Sequence, residues 1–303
     1  MTQRALQILQ KPFLTKNQLK HLQRLEETFD ELIFVLDSLQ DPLSWKEALQ
    51  NIQSLLIQHL HRPFYLFPTL QKTCPMLHYL RLRILCPSFH RVSTENPALQ
   101  QVLQQVFRVP VEVLSFQDDP IPTTQPLSKA RGLWITRAQP FHQGHALFVE
   151  KIGREQEEVI VVIAMANMSH TKENIATAGE RLSMIQPVLQ RLLGSKYYLV
   201  PMPYSDFSLE NFYELELLLP SFQAVYTHNP SVEALAQTAG YPVKKLSIPS
   251  TVSASSIRSR IQQNFPYKED LPPEVFHYIQ SSEIPKRLQL LHEQEQRELV
   301  CAE

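Results

Sequence analysis

The stretch Gly132-Leu-Trp-Ile-Thr136-Arg137-Ala-Gln-Pro-Phe-His142-Gln-Gly144-His145 decides how this chain is read. An apolar strand runs straight into a helix that opens with two histidines, and Val159 to Ala166 follows as an unbroken apolar run. A continuous run of that length suits a strand buried on both faces of a parallel sheet, so the segment is a β-α-β unit. Downstream the alternation continues. Helices are expected over Ala178–Leu193, Leu209–Leu219 and Ser231–Gly240, and strands over Tyr197–Pro201, Ala224–Thr227 and Val243–Leu246. Alternation of this kind predicts a parallel sheet wrapped by helices, with a ligand crevice at the carboxyl ends of the strands.

Histidines at 142 and 145 lie three apart on one face of the opening helical turn. Free backbone N–H groups and the positive end of the helix dipole point the same way, which makes an anion site. Gly144 lets a phosphate chain lie against the backbone, and two imidazoles there donate hydrogen bonds to phosphate oxygens whose charge grows during displacement at phosphorus. Taken alone, the same pair also suits a metal or a helix cap. A second constellation, Ser253-Ala-Ser255-Ser256-Ile-Arg258-Ser-Arg260, places hydroxyls at a helix start followed by arginine forks. A third, Asn167-Met-Ser169-His170-Thr171-Lys172, follows the strand 159–166 where a crevice loop would lie, with Gly179-Glu180-Arg181 just beyond.

The whole chain has 303 residues, enough for two domains of ordinary size. Its 29 basic and 30 acidic residues leave a formal charge of -1, so the composition asks for neither a long nucleic acid nor an anionic membrane. Three cysteines at wide spacing form no disulfide framework and fit a reducing cytosol. The longest apolar run falls far short of the roughly 20 residues that span a bilayer, and the expectation is a cytoplasmic protein. All six glycines lie at or beyond residue 132. Between Ser115 and Ala130 three prolines interleave with Ser, Thr and Asp, which reads as a linker.

An internal repeat links the two sides of that linker. Pro87-Ser-Phe-His-Arg-Val-Ser-Thr-Glu-Asn-Pro97 matches Pro220-Ser-Phe-Gln-Ala-Val-Tyr-Thr-His-Asn-Pro230 at seven of eleven positions, 133 residues apart. The same offset pairs Gln53 with Gln186, Tyr65-Leu66 with Tyr198-Leu199, and Leu82 with Leu215. Upstream, Pro12-Phe13 is set against Pro140-Phe141, which puts Leu14 to Asn17 opposite the two histidines and leaves that copy without them. Ala48 stands at the place of Arg181. The expectation is a degenerate, inactive domain over 1–116, a linker over 117–130 and a catalytic domain over 131–303, packed as an intramolecular pseudo-dimer, with room for a homo-oligomer.

In order and spacing the three constellations resemble the nicotinamide-mononucleotide adenylyltransferases of the archaeal type, within the nucleotidyltransferase superfamily named for its His-x-Gly-His signature. The resemblance runs from Gly132 to about Leu291 and includes Val225-Tyr-Thr-His-Asn-Pro230 and Leu271-Pro-Pro-Glu-Val-Phe-His-Tyr-Ile279. It implies an α/β fold of two tandem Rossmann-like domains, each a parallel sheet flanked by helices. It further implies adenylyl transfer from ATP, with Mg2+, to nicotinamide mononucleotide, giving NAD and pyrophosphate. On that pattern His142, His145, Arg137 and Arg258 carry the chemistry. Gly144, Arg181, Asn229, Ser253, Ser255 and Ser256 bind ATP and its phosphates, and Asn167, Ser169, His170 and Thr171 face the mononucleotide. The sequence departs from the family at Thr136, Ala138, Ala254 and His228. It has Asn211 where a tryptophan stacks on the nicotinamide, which leaves Phe212 and Tyr213 as the stacking candidates. Nicotinate mononucleotide, FMN or phosphopantetheine as acceptor, and a non-catalytic nucleotide sensor, are the competing readings.

Overall fold

The computed structural model describes residues 2–37, 44–69, 74–122, 129–204, 208–249 and 252–302. The first half runs β1 (Arg4–Leu9), α1 (Lys16–Thr28), β2 (Glu31–Asp37), α2 (Ser44–His59), β3 (Phe64–Thr69), α3 (Pro75–Leu85), β4 (Arg91–Thr94), α4 (Gln100–Phe107) and β5 (Val111–Val113). In the second half come β6 (Arg131–Thr136), α5 (Gln143–Glu155), β7 (Glu158–Ile163), α6 (Ala178–Leu193), β8 (Tyr197–Pro201), α7 (Leu209–Leu218), β9 (Ala224–Tyr226), α8 (Pro230–Thr238) and β10 (Val243–Lys244). The chain then forms α9 (Ala254–Gln262), α10 (Pro273–Ser281) and α11 (Ile284–Ala302). The alternation expected after Gly132 is present. The last strand shortens to two residues, because only Val243 and Lys244 pair with β9, and α11 had no forecast in the sequence.

Each half carries one parallel sheet of five strands. The orders are β3-β2-β1-β4-β5 and β10-β9-β6-β7-β8, so the halves have the same strand order. Crossover helices cover both faces of each sheet, which is why all six residues of β7 and six of the seven in β2 are buried. Helices start where local chemistry satisfies their free N–H groups. Thr177 caps α6 by accepting from Glu180 N, while the Glu180 carboxylate accepts from Thr177 N. Among the described residues no helix is long and apolar enough to cross a membrane.

Idiosyncratic polar bonds recur at matching places in the two halves. Arg4 and Glu31 pair at 2.5 Å on neighbouring strands, as Arg131 and Glu158 do at 2.7 Å. The first arginine also donates to Ser88 O and the second to Ser221 O. Asn96 Oδ1 caps the turn at Ala98 and Asn229 Oδ1 that at Ser231. At the start of the first helix, Thr15 and Gln18 make the reciprocal bond that His142 and His145 make in part at α5. The N-cap and third helical residues are Thr15 and Gln18 in α1 and His142 and His145 in α5. Thr15 and Gln18 lie one position away from the Leu14 and Asn17 that the sequence pairing sets against the histidines, and Leu14 is a fully buried core residue.

Edge strands β3 and β8 meet along the seam between the halves. Gln53 Nε2 donates to Tyr197 O at 2.8 Å, and Gln186 Nε2 donates to Phe64 O. These are the glutamines that the sequence offset pairs, so each half reaches across to satisfy the edge carbonyl of the other. Gly179, at the start of α6, also lies on this seam. A Cβ there would stand 2.1 Å from the Cys86 carbonyl oxygen of the first half. Of the proline-rich segment, residues 123–128 lie outside the described residues, while 117–122 pack back onto the first half. Arg131 is 1 % exposed beneath the sheet, so removing its partner leaves a buried charge. Glu158→Ala should therefore cost about 3–5 kcal/mol, read as a lower midpoint in urea unfolding.

Candidate active site

At the carboxyl ends of β6 and β9 lies a crevice of about 370 Å3, lined by His142, Gly144, His145, Thr227, His228 and Asn229 among others. The strand–helix turn after β6 delivers the histidines: His142 is the N-cap of α5 and His145 its third residue. Their rings stack with centroids 3.7 Å apart and planes 21° from parallel. His142 N donates to His145 Nδ1 at 3.3 Å, which leaves Nε2 of His145 as its outward atom. Behind His145 stand the rings of Trp134 at 5.4 Å and Phe141 at 5.3 Å, which fix its plane. His142 Nδ1 is buried and faces the backbone N–H of His145 within the capping turn.

Burial lowers the His142 pKa to about 4. His145 is held well below the ordinary imidazole value, first by burial and then by the facing His142 ring. Both are therefore neutral at pH 7 and can donate a hydrogen bond without carrying charge. Positive charge comes from arginines. Arg137 is exposed at the end of the β6 turn, and Arg258, on the first turns of α9, is tied by its guanidinium to Gln139 O at 2.8 Å. The Arg258 pKa is depressed by burial and then by the neighbouring Arg137 guanidinium, with the Glu173 carboxylate opposing the shift in part. An anion beside the two guanidiniums relieves their repulsion. Ser253 caps α9 by accepting from Ser256 N, with Ser255 Oγ 3.0 Å from Ser253 Oγ, so the hydroxyls cluster at one more helix start.

Arg181 does something other than grip phosphate. It is fully buried, and its guanidinium donates to Arg137 O at 3.1 Å, Ala164 O at 2.8 Å and Met165 O at 2.9 Å, with a longer bond to Thr177 O. Burial pushes its pKa down to about 10. With most of its donors engaged by backbone, it holds the loops after β6 and β7 together. Gln139, unassigned in the sequence, works beside it: its amide donates to Ala176 O and accepts from Ala176 N. Its place inside the Arg137–His145 motif was the available signal. Ala138, Met165 and His170 in these loops hold φ of 50°, 51° and 60°, a conformation side chains other than glycine adopt at a cost.

The third constellation is only partly free. Asn167 and His170 are exposed and Ser169 is half-buried beside the His170 ring. Thr171 Oγ1 accepts from Asn174 N, so that hydroxyl closes a turn. Asn229 caps α8 through Oδ1 and lines the crevice. Phe212 is fully buried with its ring against Phe222 and Tyr241, so it is core and offers no face for stacking. Tyr213 is exposed, on the neighbouring position of α7. Trp134 and Phe148, absent from the sequence forecast, form the aromatic wall of the crevice.

A cytidylyltransferase-like family model matches residues 133–260. The nicotinamide-nucleotide adenylyltransferase of Picrophilus torridus is 34% identical over 168 residues, covering 55% of this chain and 99% of that protein. The chain belongs to the nicotinamide-nucleotide adenylyltransferase family. The family's Methanothrix thermoacetophila protein is 41% identical over 115 residues, 38% of this chain and 67% of its own length. That of Pyrococcus furiosus is 34% identical over 166 residues, 53% and 88% of the two chains. Among solved structures, a bifunctional NMN adenylyltransferase/ADP ribose pyrophosphatase from Francisella tularensis aligns at a TM-score of 0.48 and 16% identity, over 58% of this chain and 57% of that one.

Neutral histidines in the crevice have a consequence for stability. The folded His142 pKa of about 4 lies below its ordinary 6.5. Between those values the unfolded chain takes up a proton that the folded chain refuses, so stability present above 6.5 is lost as pH falls toward 4. His142→Gln should flatten that loss, measured as a smaller drop in urea midpoint from pH 7 to pH 5 than in the wild type.

Proposed function

We propose that this chain transfers the adenylyl group of ATP to nicotinamide mononucleotide, forming NAD and pyrophosphate. The observation that carries the reading is the stacked pair His142 and His145 at the start of α5, in one crevice with Gly144 and Asn229 and beside the facing Arg137 and Arg258. In this reading a 5′-phosphate oxygen of the mononucleotide forms a bond to the α-phosphorus of ATP, the bond from that phosphorus to the bridging oxygen breaks, and pyrophosphate leaves. His142 and His145 donate hydrogen bonds to the non-bridging oxygens as charge builds on them. Arg137 and Arg258 hold the triphosphate, with the hydroxyls of Ser253, Ser255 and Ser256 at the α9 start. Asn229, Trp134 and Phe148 bound the adenosine side. Asn167, Ser169 and His170 face the mononucleotide, and Tyr213 is the exposed ring closest in sequence to the position where the family stacks the pyridine.

Among the described residues no group of three or more His, Cys, Asp or Glu could hold a metal ion. In this reading a divalent cation, Mg2+, enters as a companion of the triphosphate. When bound, the cation offsets triphosphate charge. Arg181 enters the reaction indirectly, by keeping the β6 and β7 loops in register.

We read the first half as a degenerate copy of the second that has lost the phosphate groups and kept the framework. Shared strand order, the paired Arg–Glu bonds and the reciprocal glutamines support that reading. Thr15, Gln18 and Ala48 stand where the second half has His142, His145 and Arg181.

Incubation with ATP, Mg2+ and a panel of nicotinamide mononucleotide, nicotinate mononucleotide, FMN and phosphopantetheine tests the activity, with pyrophosphate release followed. Turnover is expected with nicotinamide mononucleotide, and its absence would overturn the assignment. His145→Ala should lower turnover at least about 100-fold, the scale of losing a transition-state donor. Near-wild-type activity would remove His145 from the reaction.

A further inference from the structure

The first half has its own crevice at the end of β1, built from the counterparts of the catalytic one. Thr15, Gln18 and His21 of α1 hold the places of His142, His145 and Phe148, and Gln7 of β1 holds that of Trp134. The catalytic crevice is open. Its counterpart, lined by Gln7, Gln18, His21 and Phe116, has no space for even a water molecule.

The chain itself fills it. After β5 the backbone turns back across α1, where Ile121 N donates to Leu14 O at 2.9 Å and Pro120 bridges to Thr15 in antiparallel fashion. The Asp118 carboxylate accepts from Asn17 N at 2.8 Å, on the first turn of α1, where free N–H groups attract an anion. Two residues earlier the Phe116 ring lies 6.0 Å from the ring of His21, against the wall equivalent to Phe148.

The wall was not shaped for this occupant. Gln7 is 4% exposed, yet its Oε1 has no hydrogen-bond partner. His21 Nε2 and Ser93 Oγ are buried without partners as well, and Ser93 is the register neighbour of Gln7 on β4. Buried polar atoms without partners are rare and costly in a surface that serves packing alone. Here those of Gln7 and His21 line one crevice, and that of Ser93 lies beside Gln7 on the neighbouring strand.

We propose that the first half retains a nucleotide-shaped crevice whose occupant is the chain's own segment Phe116–Pro120, with the Phe116 ring in the place of a base and the Asp118 carboxylate in the place of a phosphate. This rests on reading the first half as a degenerate copy. The segment keeps free nucleotide out of the first half, so one chain binds one ATP.

Histidine labelled at its ring carbons reports both crevices in the full chain, with His21 assigned by His21→Asn and His142 by His142→Gln. Saturating AMP should move the His142 resonance of the wild type and leave that of His21 in place. In Phe116→Ala/Asp118→Ala, AMP should move both, while turnover in the catalytic half stays within about twofold of wild type. Should the double variant not fold, Phe116→Ala alone is probed with adenosine, which needs only the vacated place of the ring, and His21 should again respond. Movement of His21 by AMP in the wild type, or a silent His21 in a folded variant, overturns the proposal. A silent His142 in the wild type would instead remove the nucleotide reading of the second half.

Discussion

The crevice depends on one buried guanidinium. Arg181 stands on the second turn of α6, away from solvent, and spends its donors on carbonyl groups of the loops that follow β6 and β7. Those carbonyls end strands inside the protein and would otherwise lose hydrogen bonds to water with nothing in return. Because the loops are pinned from behind, their front edges can hold left-handed residues such as Ala138 and Met165 and keep Arg137 and His142 in place. The charge that the sequence suggests for phosphate is thus spent on positioning.

A second dependence joins the halves. The seam is built from reciprocal contacts: Gln53 reaches Tyr197 O, Gln186 reaches Phe64 O, and Gly179 leaves room for the Cys86 carbonyl. Both Gly179 and Gln186 are on α6, the helix that carries Arg181. The helix that braces the crevice is therefore itself braced by the first half, which ties the arrangement of the crevice loops to the seam.

The fold was legible because its signals are local or periodic. The apolar run at 159–163, the Thr177–Glu180 cap and the strand–helix turn at His142 each follow from chemistry within a few residues. In the first half the sequence pairing sets Leu14 against His142, whereas the helix cap falls one residue later, at Thr15. Side-chain roles were less legible, since they depend on depth. An arginine reads the same in sequence whether it meets phosphate or backbone, and only the complete burial of Arg181 separates the two. Phe212 failed for the same reason: its neighbour Tyr213 faces solvent while its own ring completes a cluster with Phe222 and Tyr241, contacts that come from strands and loops far along the chain. Gln139 was overlooked because amide clamps have no sequence pattern of their own.

The reciprocal glutamines also bear on the separation of the halves. With a carbonyl of each edge strand bonded by a helix side chain of the other half, deleting either half would uncover an edge open to pairing with other chains. Gly179 would have lost its reason, and α6 its backing. Such an arrangement works as a ratchet: each exchange across the seam makes the separation of the halves harder.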